Sequence, residues 1–415
     1  MKLRKFAMLV LIVAVAVSVI ACFAACDDSE EAPEPSADLV AVRVNGYMAE
    51  WKDINYNFGY EGSSDLTVDV PYTNYLRIDD LIVSPGAEYT VFYQGGGGVY
   101  TFLDKIPVND KEAKFIIKVT NGELSNSYTL TVNVKQTNLP PESEIEDRNY
   151  DNREGHVYIP DDAETVEVDG VVYEVCRGND VELLFGNENI ILTEDIYVSW
   201  AEDYLPETYS GIFNGNNYAL RISGSSTLVT TLEEDGVIQN AFFYMQGRLQ
   251  PMREFSNVVC ENNYGTIKNV KMNVHFHDYA RDPFSDIYAP LNYGYFAYRN
   301  YGKIENCLNV GDLTSQRNNG RIHMASFVTE QYGEMTNCVN TGKVQYEYDY
   351  MDNAGAGAIA YLVGEDAVFN GVYNLGECTI TLFTEEQIDE KLDMLFYTTA
   401  EAGAYPDMSK IKNYT

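Results

Sequence analysis

The chain has 415 residues, 45% of them hydrophobic, with 33 tyrosines, 31 glycines and a formal net charge of −35. That length allows two or three domains, and that apolar content excludes a wholly disordered chain. So acidic a chain lacks the basic face that phosphate binding needs, which excludes nucleic acid as a partner. The acidity reads first as a solvated surface, with calcium binding by hard carboxylate oxygens as the sharper alternative.

At the N-terminus, Lys2, Arg4 and Lys5 precede an almost wholly apolar run over residues 6–25. This is the pattern of a secretory signal. The run ends Val19-Ile20-Ala21-Cys22 and then Phe23-Ala24-Ala25-Cys26. Both ends resemble the bacterial lipobox, and the resemblance implies a lipidated cysteine as the mature N-terminus. Cys26 is favoured because the polar tether Asp27-Asp28-Ser29-Glu30-Glu31 follows it; Cys22 has the better third upstream residue, Val19. About 20 apolar residues also suffice for an uncleaved membrane anchor. Every version places the folded chain on the extracytoplasmic face of a cell membrane, with 1–25 as leader and 26–37 as an acidic tether.

Residues 38–135 alternate with period 2 in short runs, such as Leu39–Val44, Leu66–Val70 and Ala113–Val119. The runs are bounded by turns such as Asn45-Gly46 and Asn121-Gly122. The pattern predicts about seven short strands and an immunoglobulin-like sandwich. The closing strand, Ser127–Val134, resembles the last strands of the cadherin-like modules of bacterial surface proteins. Residues 136–153, with Pro140-Pro141 and no periodicity, read as a linker.

From 154 to 383 a phrase recurs: Asp-Gly-Val-Ile-Gln-Asn at 235–240, Asn-Tyr-Gly-Thr-Ile-Lys-Asn at 263–269, Asn-Tyr-Gly-Lys-Ile-Glu-Asn at 300–306 and Gln-Tyr-Gly-Glu-Met-Thr-Asn at 331–337. Its glycines, Gly236, Gly265, Gly302 and Gly333, lie 29, 37 and 31 residues apart. Such a period marks a repeat architecture. An apolar run precedes each phrase and an Asn-x-Gly turn follows two of them, so each unit holds about three short strands. These stack on the next unit at about 4.8 Å. Ile238, Ile267, Ile304 and Met335 then form one inward row. The glycines and the asparagines Asn240, Asn269, Asn306 and Asn337 are expected to supply positive φ at the corners. Cys307 and Cys338 hold equivalent places, as a buried thiol ladder or a disulfide.

Asn-Tyr-Gly-Lys-Ile-Glu-Asn-Cys-Leu-Asn-Val-Gly at 300–311 closely resembles the GLUG motif of bacterial surface proteins. The resemblance spans about 190–378 and implies a right-handed parallel β-helix. The usual Gly-Gly-Leu-Val-Gly strand is missing and the 265–302 unit is long, so the motif carries architecture rather than chemistry. Thr384-Glu385-Glu386-Gln387 reads as a capping box opening a helix to about 396, covering the last rung within a 384–415 cap. The fold class is therefore all-β: a sandwich, then a β-helix, then a short capping helix.

Parallel β-helices include polysaccharide hydrolases and lyases. The sequence holds no Asn-Thr-Asp, no His-Gly and no Arg-x-Lys outside the leader, so no catalytic residue, cofactor or metal is assigned. The polar concentration is His275-Phe276-His277-Asp278, followed by Arg281, Asp282 and Asp286, in the longest unit. His275 and His277 share one strand face and form a candidate ligand site with Asp278, Tyr279 and Tyr288; an exposed strand end is the simpler reading. Tyr279, Phe284, Tyr288, Tyr293, Tyr295, Tyr298 and Tyr301 add aromatics suited to stacking on sugars or anchoring a protein. The expectation is a monomeric, non-enzymatic lipoprotein for adhesion or glycan binding. The alternative is a divergent carbohydrate-active enzyme with its site near 275–286.

Overall fold

A computed structural model describes residues 35–52, 65–95, 99–100, 104–108, 111–146, 150–178, 186–198, 206–222, 227–245, 255–278, 291–317, 322–348, 355–382, 391–393, 395–399 and 411–415. Within these the chain is nearly all β, and parallel sheets dominate its second half. Residues 36–415 form one compact unit.

The N-terminal strands form a three-stranded antiparallel sheet around Leu39–Val44 and a six-stranded sheet. In the larger sheet Glu112–Asn121 and Leu124–Val134 make a long hairpin, while Asp65–Val70 lies parallel to Thr129–Val134. Alternation accounts for the packing, since the inward residues of both sheets (Val42 and Val44 with Leu66, Val68, Phe115, Ile117, Leu130 and Val132) share one core. In the segment read as a linker, Glu142–Glu146 form a short helix with no buried residue.

In the repeat region each complete unit contributes to each of four sheets, always in the same order, and in one unit the contribution to the largest sheet is split into Lys303–Glu305 and Leu308–Asn309. The unit from Phe255 shows the order as Phe255–Asn257, Cys260–Asn263, Thr266–Val274 and Phe276–Asp278. The next strand of each kind pairs with it in parallel. Each expected apolar run thus splits in two, because a bend at Val258-Val259 turns both valines into the core.

The inward row is present. Phe213, Ile238, Ile267, Ile304, Met335 and Phe369 are successive register partners, all buried. The backbone reason for the glycines differs from the one expected. Asn240, Asn269, Asn306 and Asn337 do adopt positive φ, between 49° and 54°, but the four phrase glycines are not among the positive-φ residues. They are needed for close approach instead: a Cβ on Gly302 would lie 2.1 Å from the Gly265 carbonyl oxygen, and one on Gly333 2.1 Å from that of Gly302.

At the leading end, Thr165–Val168 and Val171–Cys176 form a hairpin around Asp169-Gly170, and its second strand starts the parallel series. At the trailing end the expected helix is corrected. Residues 383–390 lie outside the described residues, but Lys391–Asp393 is a strand antiparallel to Thr379–Thr381. Phe396–Thr399 and Ile411–Asn413 extend two of the parallel sheets. An open sheet edge offers unpaired backbone groups, and residues 391–393 and 396–399 satisfy them as strands rather than continuing a helix to 396.

The N-terminal strands also pack directly on the repeats. Val40, Ala41 and Met48 share a buried cluster with Leu308, Val339, Tyr373 and Tyr414. Residues 45–50 run along the positive-φ asparagines. Met48 N–H donates to Asn269 Oδ1 (2.9 Å), Asn269 Nδ2 to the Gly46 carbonyl (3.3 Å), Asn306 Nδ2 to Glu50 Oε1 (2.5 Å) and Asn337 Nδ2 to the Ala49 carbonyl (3.1 Å). Lys271 Nζ reaches both oxygens of Asp80, at 2.8 and 2.9 Å.

Candidate binding surface

The phrase glycine sets a two-residue corner whose first residue is tyrosine in three consecutive units. Tyr301 and Gly302 both donate their N–H to the Asn263 carbonyl (2.8 and 2.9 Å), and Tyr332 and Gly333 both donate to that of Asn300 (2.8 Å each). With the backbone held so, the side chains fall into register. Tyr264, Tyr301 and Tyr332 stack with centroids 5.0 Å apart at each step and rings 8° from parallel. Tyr264 and Tyr301 are 44% and 42% exposed, and their hydroxyls have no hydrogen-bond partner among the described residues.

Beside the row lies a closed polar cluster. Arg299 Nε sits 2.9 Å from Glu330 Oε2, and Tyr298 OH donates to Glu330 Oε1 at 2.9 Å. Tyr332 OH donates to Glu330 Oε2 at 3.1 Å. Burial and the Glu330 carboxylate push the Tyr332 phenol up to about 12, so Tyr332 stays neutral at ordinary pH. Glu330 is fully engaged and serves to hold Tyr332 in place.

Turns of a different kind bound the row. The units before and after use four-residue corners, Glu233–Gly236 and Gly364–Ala367, in place of Tyr-Gly. Glu234, Asp235, Glu365 and Asp366 are exposed. Gly364 fits under the last ring, since a Cβ there would meet Tyr332 Cδ1 at 2.3 Å.

Of the residues singled out from the sequence, His275 and His277 can be placed with their partners. His275 is half-exposed, with Nδ1 accepting from the Asp312 N–H (3.3 Å) and 3.6 Å from Asp312 Oδ2. His277 Nδ1 is bonded to Thr314 Oγ1. The two rings therefore take separate partners, and no group of three His, Cys, Asp or Glu that could hold a metal occurs among the described residues. Asp278 ends a strand, while Tyr279 and Tyr288, with Phe284, Arg281, Asp282 and Asp286, lie outside the described residues. Tyr293 and Tyr295 are core residues: Tyr295 OH donates to the Asp312 carbonyl (2.6 Å) and accepts from Phe276 N–H (3.2 Å). Of the expected aromatics only Tyr301 joins the row. Tyr264 and Tyr332 were missed although the signal was in plain sight, as the residue before the glycine in each phrase.

Five cysteines, Cys176, Cys260, Cys307, Cys338 and Cys378, are buried and unbridged. Cys307 and Cys338 are the thiol ladder of the two alternatives. Cys22 and Cys26 lie outside the described residues, and no described helix is long and apolar enough to cross a membrane. No known family matches the chain, and no curated protein does.

Proposed function

We propose that this chain is a cell-surface lipoprotein, anchored through Cys26 or Cys22, that binds a glycan or surface-protein ligand without chemical turnover. The fold proposed with it is an immunoglobulin- or cadherin-like sandwich packed on a right-handed parallel β-helix. The contribution of every complete unit to the same four sheets, repeated in the same order, supports the helical reading. The shared core of the two N-terminal sheets supports the sandwich.

The observation that carries the binding role is the exposed row Tyr264–Tyr301–Tyr332. Stacked tyrosines are rigid and amphipathic, and they lose little entropy on contact, which suits recognition. The test is a glycan array and a surface-protein pull-down with the mature chain, alongside a polysaccharide cleavage screen with calcium. Specific binding that disappears in Tyr264→Ala/Tyr301→Ala, with no product released, supports the proposal. Product release that vanishes in His275→Ala would replace it with a carbohydrate-active enzyme. Lipid incorporation lost in Cys26→Ser and kept in Cys22→Ser would fix the anchor.

A further inference from the structure

We infer that the tyrosine row takes a basic peptide segment of a partner protein, one carrying arginine or lysine side chains at both ends. The inference rests on reading the row as a binding surface and narrows the class of ligand.

The geometry of the stack comes first. Carbon atoms in contact lie about 3.5–4.0 Å apart. Parallel rings with centres 5.0 Å apart must therefore be displaced sideways, by about 3 Å on that contact distance. Each ring leaves a strip of its face uncovered, like the treads of a stair. No gap admits a sugar ring between two tyrosines. The uncovered strips carry the negative side of the ring quadrupole, which attracts a guanidinium or ammonium group.

The charge around the row points the same way. Two basic residues of this corner are already matched, Arg299 to Glu330 and Lys303 Nζ to Glu334 (3.7 Å) and Glu305 (4.0 Å), while Lys268 stands exposed beside Glu305 in the register. Glu234 and Asp235 at one end and Glu365 and Asp366 at the other are exposed, with no ion pair among the described residues. The net charge of −35 adds a long-range field that draws cations in and turns anionic glycans away.

Spacing sets the length. From the turn at 233–236 to the turn at 364–367 is four steps of the stack, or about 19 Å at the usual inter-strand spacing. An extended peptide rises about 3.3 Å per residue, so about six residues reach from one acidic turn to the other.

The test uses the mature chain and three probes: acetylated hexa-arginine amide, the uncharged hexa-citrulline of the same shape, and a neutral hexasaccharide. Hexa-arginine should bind, and hexa-citrulline at least tenfold more weakly. Tyr264→Ala/Tyr301→Ala, which leaves the net charge unchanged, should weaken hexa-arginine at least tenfold, while Tyr301→Phe stays within about twofold. Neutralising Glu234, Asp235, Glu365 and Asp366 should weaken it about tenfold and flatten its salt dependence. Neutralising Glu88, Glu123, Glu142 and Glu146, four exposed acids in the N-terminal part, should change it less than twofold. An unfolding midpoint kept by the tyrosine variants shows that the loss is local. Equal loss from the two sets of neutralised acids, or no effect of the tyrosine pair, overturns the inference as mere attraction to an acidic protein. Hexasaccharide binding that needs the tyrosines, with none by hexa-arginine, overturns the basic class and leaves the surface reading intact. If no probe depends on the tyrosines, both readings fail.

Discussion

Gly302 carries a hydrogen where any other side chain would collide with a carbonyl oxygen 2.1 Å away. That oxygen belongs to Gly265, whose own neighbours are tied into the backbone ladder, so neither partner can step aside. Gly302→Ala should therefore cost about 1–3 kcal/mol, typical of forced overpacking. A lowered denaturant midpoint with an unchanged slope would show it. The cysteines make a second test. Burial raises the Cys260 thiol, and burial together with the neighbouring Cys307 raises Cys338, so the reactive thiolate is suppressed. In native protein none of the five should react with a thiol reagent at pH 8, and all five should react on unfolding without reductant. Two fewer would reveal a Cys307–Cys338 bridge. The sequence placed those two cysteines in equivalent positions, but their state depends on what surrounds them.

Elements here hold together through buried carboxamides as well as apolar rows. Asn309, Asn340, Asn374 and Asn413 form one chain in which each Nδ2 donates to the next Oδ1, at 2.8, 2.8 and 2.7 Å. Each of the first three also donates to the glycine carbonyl two residues on and accepts that glycine's N–H, closing the Asn-x-Gly turn. Asn340→Ala removes a middle link. It strands the Asn309 amide and the Gly342 groups in a dry interior, at about 1–3 kcal/mol for each group left unpaired. Thermal unfolding should show a loss larger than for the same change at the exposed Asn126. The Asn-x-Gly turns were legible because they repeat. The expected extension of a helix to 396 fails because the open edge that recruits Lys391–Asp393 is created only by the stacked units, whereas Thr384–Gln387 lies outside the described residues.

For the whole molecule, the seam between the N-terminal strands and the repeats holds a histidine whose titration bears on acid stability. His156 sits in it, its ring stacked on Tyr218 at 3.8 Å and its Nδ1 2.6 Å from the Asn216 carbonyl. Burial pushes its pKa below the ordinary 6.5. Unfolding then takes up a proton at any pH between the two values, so stability is full above about 6.5 and declines as pH falls through it. Comparing midpoints at pH 7.5 and 5.5 should show a drop in the parent that shrinks in His156→Phe. An equal drop in both proteins would assign the acid response to other groups.

Periodicity in the chain was enough to define the stacked units, their inward aliphatic row and the asparagine corners, because each copy repeats the same local rule and in-register pairing follows from the repetition. Close approach rather than backbone twist as the reason for the glycines, the packing of residues 45–50 along the asparagine corner, and the separate fates of His275 and His277 came only with the fold. The tyrosine row had its letters in the sequence but acquired meaning when units 37 and 31 residues apart were laid over one another. Local pattern specifies what a rung is; which surface of the pile meets another segment, and which meets water, depends on contacts between residues up to 376 positions apart.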